Sequence, residues 1–128
     1  MKHLFVPNDI AKKLKEKMFD EPCLAYYSGS DLEDKTLYTF TTFSIGSSIH
    51  RNGIEGFDKS YTFSAPIHQQ VVDWLRDKHN IVIESTTWVE VTTWMIRNRM
   101  SNETVWNSAI KDYYEGYNKA ISEALNRI

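Results

Sequence analysis

The strongest constraint on the fold is a change of hydrophobic period at residue 80. Residues 64–80, SAPIHQQVVDWLRDKHN, carry apolar side chains at i, i+4, i+7 and i+8, which predicts a helix with one face on a core. Ser64 is a suitable N-cap, Pro66 is suited to the first turn, and Asn80 is a suitable end. The apolar positions are Ile67, Val71, Trp74 and Leu75.

The stretch that follows, IVIESTTWVEVTTWMIRN, differs from the helix in its residue composition. It is too rich in β-branched residues for a helix and too long for a single strand. It therefore predicts two strands, at about 81–86 and 89–98, joined by a turn. Along the second strand both faces carry apolar groups, which indicates an interior strand or a strand with a partner.

The first half of the chain predicts one short helix and several strands. Residues 7–18, PNDIAKKLKEKM, have the pattern of an amphipathic helix whose lysines lie on the solvent-exposed face. Residues 23–28 and 36–45 have the composition of strands. Asn52-Gly53 is a strong hairpin signal, because a type I′ turn needs positive φ at both central residues.

A third helix, with a clear start signal, is predicted at the C-terminal end, over about 113–127. Asp112 and Glu115 form a capping box at its beginning. Residues 101–111 have no definite pattern. The elements then follow the order α-β-β-β-α-β-β-α, which predicts one α+β domain over residues 1–128, with a mostly antiparallel sheet of about five strands packed by helices.

The last helix carries three tyrosines in the segment YYEGYNKAISEAL. At about 100° per residue, Tyr113 and Tyr117 fall in the apolar stripe and are predicted to be core residues, whereas Tyr114 lies at its edge. Gly116 falls just outside the stripe, where a missing side chain lowers helix propensity by about 1 kcal/mol relative to alanine. A close approach by another segment would explain this glycine.

Composition and charge exclude several classes of protein. The net charge of −2 lacks the basic excess that is typical of proteins holding a nucleic-acid backbone. The single cysteine, Cys23, allows no internal disulfide. No apolar h-region of a signal peptide and no run of about 18 apolar residues occurs, so we expect a cytoplasmic protein with no membrane association.

Three segments together resemble a known group of proteins. They are residues 6–27, 63–81 and 113–128, about half of the chain. They are similar to a family of small uncharacterised proteins encoded by phages, prophages and mobile elements of gut bacteria of the Bacteroides group. Met18 stands where a glycine is usual in that family, and Gly116 where an alanine is usual. The resemblance implies an accessory gene product and transfers no activity and no site.

No motif for metal, cofactor or catalytic chemistry is present in the sequence. His68 and His79 share a side of one helix, but eleven residues separate them by about 16 Å, so they cannot bind one ion. We expect both to be partly exposed histidines on the helix flank. Cys23 lies in an apolar run and is expected to be a small buried hydrophobe. Asp73 and Arg76 have the spacing of an ion pair on a solvated face. We therefore predict no catalytic residue, no metal site and no cofactor.

The remaining candidate is a binding surface of arginine and aromatic residues, whose tryptophans the sequence leaves open as core or surface. Its members are Trp88, Trp94, Arg97, Arg99, Trp106 and Tyr114. The leading hypothesis is a non-enzymatic protein-interaction module that binds a host or phage protein, or self-associates. One alternative is nucleic-acid or nucleotide binding by the arginines and tryptophans, and pairing of these arginines with carboxylates would count against it. Another is an enzyme with an unrecognised site.

Overall fold

The computed structural model describes residues 2–28, 36–39, 51–52 and 62–128. These residues form three α-helices and two three-stranded antiparallel sheets. The α+β class and the antiparallel pairing are therefore confirmed, and the predicted single sheet of about five strands is matched only in part, because the described residues form six strands in two sheets. The chain divides into two compact units, Met1–Ile67 and His68–Ile128. The expectation of one domain stays a prediction.

The first unit contains helix α1 (Asn8–Glu16) and strands β1 (Ala25–Ser28), β2 (Leu37–Thr39) and β3 (Thr62–Ser64). The strand order is β2-β1-β3, with β1 in the centre. Helix α1 packs against β3 with Ile10, Ala11 and Leu14 buried, as the amphipathic pattern predicts. The hairpin predicted at Asn52-Gly53 extends beyond the described residues, as does the strand predicted over 36–45 after Thr39.

Helix α1 ends in a pair of hydrogen bonds that place Met18 in a left-handed conformation. The amide of Phe19 donates to the Leu14 carbonyl, and the amide of Met18 donates to the Lys15 carbonyl. This is the Schellman arrangement, completed by burial of Leu14 and Phe19. Met18 has φ of 67°, a conformation that glycine adopts without strain. The geometry explains why a glycine at this position suits a chain of this fold.

Replacing Met18 with glycine is expected to stabilise the first unit. A left-handed backbone costs a residue with a Cβ about 1–2 kcal/mol, and the greater freedom of glycine in the unfolded chain offsets part of the gain. The free energy of unfolding should rise by about 0.5–1 kcal/mol in urea denaturation. Met18→Ala is the matched control, because it removes the exposed side chain but keeps the strain. Equal stability of the two variants would contradict the explanation.

The second unit contains helices α2 (His68–His79) and α3 (Tyr113–Leu125) and strands β4 (Ile81–Trp88), β5 (Val91–Asn98) and β6 (Thr104–Ile110). The strand order is β4-β5-β6, and α3 packs against all three strands. The sequence left β6 unassigned, because its short polar and apolar mixture has no clear period. The β4–β5 turn lies at Val89–Glu90, so β4 extends further than 81–86 and β5 begins later than residue 89.

Helix α2 begins later than the sequence indicates. Ser64 does not cap the helix, because it ends β3 and pairs with Tyr26 of β1. Pro66 precedes the helix, and its carbonyl accepts a hydrogen bond from the Val6 amide. The helix ends as predicted at Asn80, whose φ of 56° is left-handed. The apolar positions were predicted correctly. The first four residues of the predicted helix, 64–67, instead pair with distant backbone segments.

Helix α3 begins at the predicted cap. The Asp112 carboxylate accepts a hydrogen bond of 2.8 Å from the Glu115 amide, which supplies a partner for one of the first helical N–H groups. Among the residues that the structure describes, no helix is long and apolar enough to cross a membrane.

Candidate functional site

The sheet of the second unit has one face packed against α3, and the side chains of its other face are exposed or half-buried among the described residues. Because side chains alternate along a strand, Ile83, Trp94 and Ile96 lie on the helix face, where they are buried. Trp88 and Arg97 lie on the opposite face, here called the outer face. The members of the predicted binding surface that lie on strands are therefore divided between the two faces of the sheet.

Trp94 belongs to the core, with 2% of its surface exposed. Gly116 explains how the indole fits beneath α3. A Cβ atom at residue 116 would lie 2.6 Å from Trp94 Cδ1 and closer still to Nε1, so only a glycine allows this approach. The Trp94 Nε1–H group has no hydrogen-bond partner among the described residues. The close approach expected at Gly116 is thus confirmed, and the group that lies against this glycine is the Trp94 ring.

The aromatic residues of α3 form a cluster around Trp94 and His68. The Tyr117 ring stacks at 4.6 Å on the Trp94 ring and at 4.6 Å on the His68 ring. Tyr113 touches Trp94 but is 44% exposed, so the prediction that it is a core residue is wrong. Tyr117 and Tyr114 are half-buried. Burial, with Tyr113 close by, raises the pKa of Tyr117 to about 12. This cluster packs α3 against the rest of the second unit, and the three tyrosines do not form a separate binding surface.

The two histidines of α2 have different environments. His68 is only 3% exposed, and its Nε2 lies 2.7 Å from Asn118 Oδ1, a distance at which the ring N–H donates to the amide oxygen. The prediction of a partly exposed His68 is therefore wrong, because α3 supplies both a stacking ring and a hydrogen-bond acceptor. His79 is partly exposed, as predicted, with its ring 4.5 Å from that of Trp74.

The two arginines of the predicted surface are held by neighbouring groups. Arg97 forms an ion pair with Glu84 on the adjacent strand, with Nε 3.0 Å from Oε2, and also donates to Asn102 Oδ1. Arg99 Nη1 donates to the Arg76 carbonyl over 3.4 Å. The predicted contact between Asp73 and Arg76 is present at 3.1 Å. Pairing of Arg97 with a carboxylate removes much of the basic character that the nucleic-acid alternative needs.

The tip of the β4–β5 hairpin is the most exposed apolar part of the second unit. Trp88 is 81% exposed and Val89 is 84% exposed, and Val91 is also exposed. Trp88 pairs with Val91 across a two-residue turn. Val89 has φ of 59°, which hairpin turns normally take from glycine and which is strained for a β-branched residue. We call Trp88, Val89 and Val91 the hairpin tip.

The remaining predicted members lie away from the hairpin tip. Arg97 is six residues along β5 from Val91, or about 20 Å. Trp106 is half-buried and lies opposite Ile96, on the helix face of the sheet. Tyr114 contacts His68. Trp88 is exposed, its role in binding stays a prediction, and the exposure of Val89 and Val91 was not predicted. The Trp-Val-Glu-Val segment contains no glycine, asparagine or proline, so no residue in it indicates the turn.

The Cys23 thiol and the side chains that could hold a metal ion are the groups relevant to catalysis. Cys23 is buried as expected, and desolvation raises the pKa of its thiol to about 12, so the nucleophilic thiolate is suppressed. Over residues 2–28, 36–39, 51–52 and 62–128, no three histidine, cysteine or carboxylate side chains lie close enough to hold a metal ion.

Comparisons with protein-family models, with curated proteins and with solved structures gave no significant match to this chain. The candidate site therefore rests on the geometry of the hairpin tip.

Proposed function

We propose that this protein is a small protein-interaction module that binds another protein through the hairpin tip. The observation that carries the proposal is the exposure of Trp88 and Val89 side by side, at 81% and 84%. Contiguous apolar groups of this kind on a protein surface mark sites of interaction, and tryptophan is enriched among residues that dominate binding. The resemblance to proteins of phages and mobile elements favours a host or phage protein as partner.

The scaffold supports this function because it holds the tip in place before binding. Trp88 and Val91 end two eight-residue strands that pair in register along their whole length. A partner therefore meets side chains whose backbone is already ordered, which lowers the entropy cost of association. Burying an indole ring removes about 150–250 Å² of surface from water, enough to anchor a small interface.

Site-specific photo-crosslinking tests the proposal directly. A benzophenone amino acid placed at exposed Glu90 reports on whatever binds the tip, in lysate of a gut bacterium of the Bacteroides group. We expect one discrete adduct with a different protein. Trp88→Ala should reduce it by at least about tenfold, because tryptophan anchors commonly contribute 2 kcal/mol or more. Met100→Ala, an exposed apolar residue in the β5–β6 turn, is the matched control and should leave it unchanged.

Two outcomes would count against this function. The first is an adduct of equal yield in the Trp88→Ala variant. The second is an adduct of the chain with itself alone, which would assign the tip to self-association.

Replacing Val89 with glycine should stabilise the second unit and weaken partner binding. Glycine relieves the positive φ at this position, which costs a β-branched residue about 1–2 kcal/mol, so the free energy of unfolding should rise by about 1 kcal/mol. The same change removes an exposed apolar side chain from the tip, so the crosslinked adduct should decrease. Val91→Ala keeps the strained turn and is the control for stability. A variant with unchanged stability would show that Val89 is not strained.

A further inference from the structure

The side chain of Asn52 joins two backbone segments of the first unit. Its Nδ2 group donates a hydrogen bond of 2.8 Å to the Phe19 carbonyl, just after α1. Its Oδ1 atom accepts a hydrogen bond of 2.9 Å from the Ser64 amide in β3. These partners lie 33 and 12 residues away along the chain. Asn52 therefore supplies a contact between the segment that follows α1 and strand β3.

The residue before Asn52 binds the same segment. Arg51 Nη2 donates a hydrogen bond of 3.0 Å to the Asp20 carbonyl and lies 3.6 Å from the Asp20 carboxylate. Two consecutive residues, Arg51 and Asn52, thus bind two consecutive residues, Phe19 and Asp20. Arg51 is exposed, where ion pairs contribute little, so the half-buried amide of Asn52 provides most of the contact.

The two partners of Asn52 require an amide between them. A backbone carbonyl only accepts hydrogen bonds and a backbone N–H only donates them, so the side chain must present one donor and one acceptor. A carboxylate in the same place could accept from the Ser64 N–H, but it would place an oxygen against the Phe19 carbonyl. Conversion of Asn52 to aspartate would therefore break one of the two bonds and leave two acceptors facing each other in a half-buried site.

Asn52 is also the asparagine at which this conversion is chemically easiest. It is the only asparagine of the sequence that precedes a glycine. Because glycine has no Cβ, the backbone nitrogen of Gly53 meets less obstruction as it approaches Asn52 Cγ. In this reaction a bond forms between that nitrogen and Cγ, the Cγ–Nδ2 bond breaks, and ammonia leaves with the proton of the Gly53 amide. Water then opens the cyclic imide to aspartate or isoaspartate.

We propose that Asn52 is a site of spontaneous deamidation that its two hydrogen bonds protect while the first unit is folded. Ring closure makes Cγ tetrahedral and expels Nδ2, so it displaces both polar atoms from the positions in which they meet Phe19 and Ser64. Unfolded or locally opened chains are therefore modified faster than folded chains, and the product forms a less stable first unit. The modification thereby records the time that a chain has spent unfolded.

Peptide mass spectrometry of the purified chain tests the protection. Parallel samples are kept at neutral pH, one folded and one unfolded in guanidinium chloride, and the replacement of NH2 by OH at Asn52 is followed over time. We expect the unfolded sample to convert at least about tenfold faster, because only a small fraction of folded chains is open at any moment. Gly53→Ala adds the missing Cβ and should slow the conversion in the unfolded sample.

Two results of this experiment would overturn the proposal. Equal rates in the folded and unfolded samples would show that the hydrogen bonds of Asn52 give no protection. Failure of Asn52 to convert in the unfolded sample would show that it is not a site of deamidation.

The variant Asn52→Asp reproduces one product and tests its consequence. The lost hydrogen bond should lower the ratio of folded to unfolded chains by about tenfold or more, measured by chemical denaturation. Asn107→Asp, at an exposed asparagine of β6, adds the same charge and is the matched control, with an expected change of less than about twofold. An Asn52→Asp chain as stable as this control would contradict the proposal. The hairpin tip carries none of these changes, so the result is independent of the proposed function.

Discussion

Replacing Gly116 with alanine is expected to destabilise the second unit, although the change raises helix propensity. The added Cβ would lie 2.6 Å from Trp94 Cδ1, and Trp94 is a rigid, buried ring that stacks on Tyr117. Overpacking of a core typically costs about 1–3 kcal/mol, and the gain from alanine offsets up to about 1 kcal/mol. We expect the free energy of unfolding to fall by about 1–2 kcal/mol in urea denaturation.

Removing the ring at residue 94 should reverse this loss. Trp94→Val removes the indole atoms Cδ1 and Nε1 that meet residue 116, together with an N–H group that has no partner among the described residues. The double variant Trp94→Val with Gly116→Ala should therefore be more stable than the sum of the single changes predicts, by at least about 1 kcal/mol. Lys119→Ala, at an exposed position of the same helix, is the control for helix propensity. Additive effects would show that the glycine is not required by the tryptophan.

The same pair of positions leads to an expectation for the phage-encoded family to which we propose a resemblance, in which alanine is usual at residue 116. An alanine at residue 116 is compatible with this helix packing only if the ring beneath it is smaller or displaced. We therefore expect members of that family with alanine at this position to carry a residue other than tryptophan at the position of Trp94.

The protein is expected to lose stability steeply at alkaline pH, in a window between about pH 9 and pH 12. Burial raises the pKa of Cys23 from 9.0 to about 12. Burial, with a smaller effect of Asp9, raises the pKa of Tyr27 from 10.0 to about 12. Burial also raises the pKa of Tyr117 from 10.0 to about 12. In each case the folded chain holds the proton more tightly than the unfolded chain.

The sign of the effect follows from this difference in proton binding. Below the unfolded pKa both states are protonated, so the stability is fully present. Above it the unfolded state releases protons that the folded state keeps, so the free energy of unfolding falls with rising pH until the folded pKa is reached. Each pKa unit corresponds to about 1.4 kcal/mol, so Cys23 alone contributes a loss of about 4 kcal/mol.

Chemical denaturation at a series of pH values measures this loss. Cys23→Ala removes the buried thiol, so it should lower the stability by about 1 kcal/mol at pH 7 and make the dependence above pH 9 shallower. Tyr27→Phe removes a hydrogen bond of 2.8 Å to the Val6 carbonyl and should behave in the same way. Tyr38→Phe, at an exposed tyrosine of β2, is the control. A stability that stays constant to pH 11 in the unchanged chain would contradict the prediction.

The extent to which the sequence predicts the fold depends on how local the cause of each element is. The cap at Asp112, the stop at Asn80 and the buried stripe of α1 were predicted correctly, because each depends on residues within one or two turns. Strand β6 was not predicted. Its seven residues alternate only weakly, and it is held by pairing with β5.

The candidate site was predicted less well, for the same reason. Trp88 and Trp94 look equivalent in the sequence, yet one is the exposed tip of a hairpin and the other is a core residue. A shift of the turn position by one residue would exchange the two faces of the strand, and no residue of the Trp-Val-Glu-Val segment marks the turn. The burial of His68 could not be predicted either, because its partner Asn118 lies fifty residues away.

The sequence by itself determined the α+β class, the positions of three helices and the absence of a recognisable catalytic motif. These features depend on hydrophobic period, caps and residue types, all of which are local. The tertiary structure decided that the described strands form two sheets, that Trp94 packs closely against Gly116, and that Trp88 and Val89 are exposed to solvent. Those features depend on which distant segments meet, and pairing between segments is set by packing of the whole chain rather than by any one stretch of it.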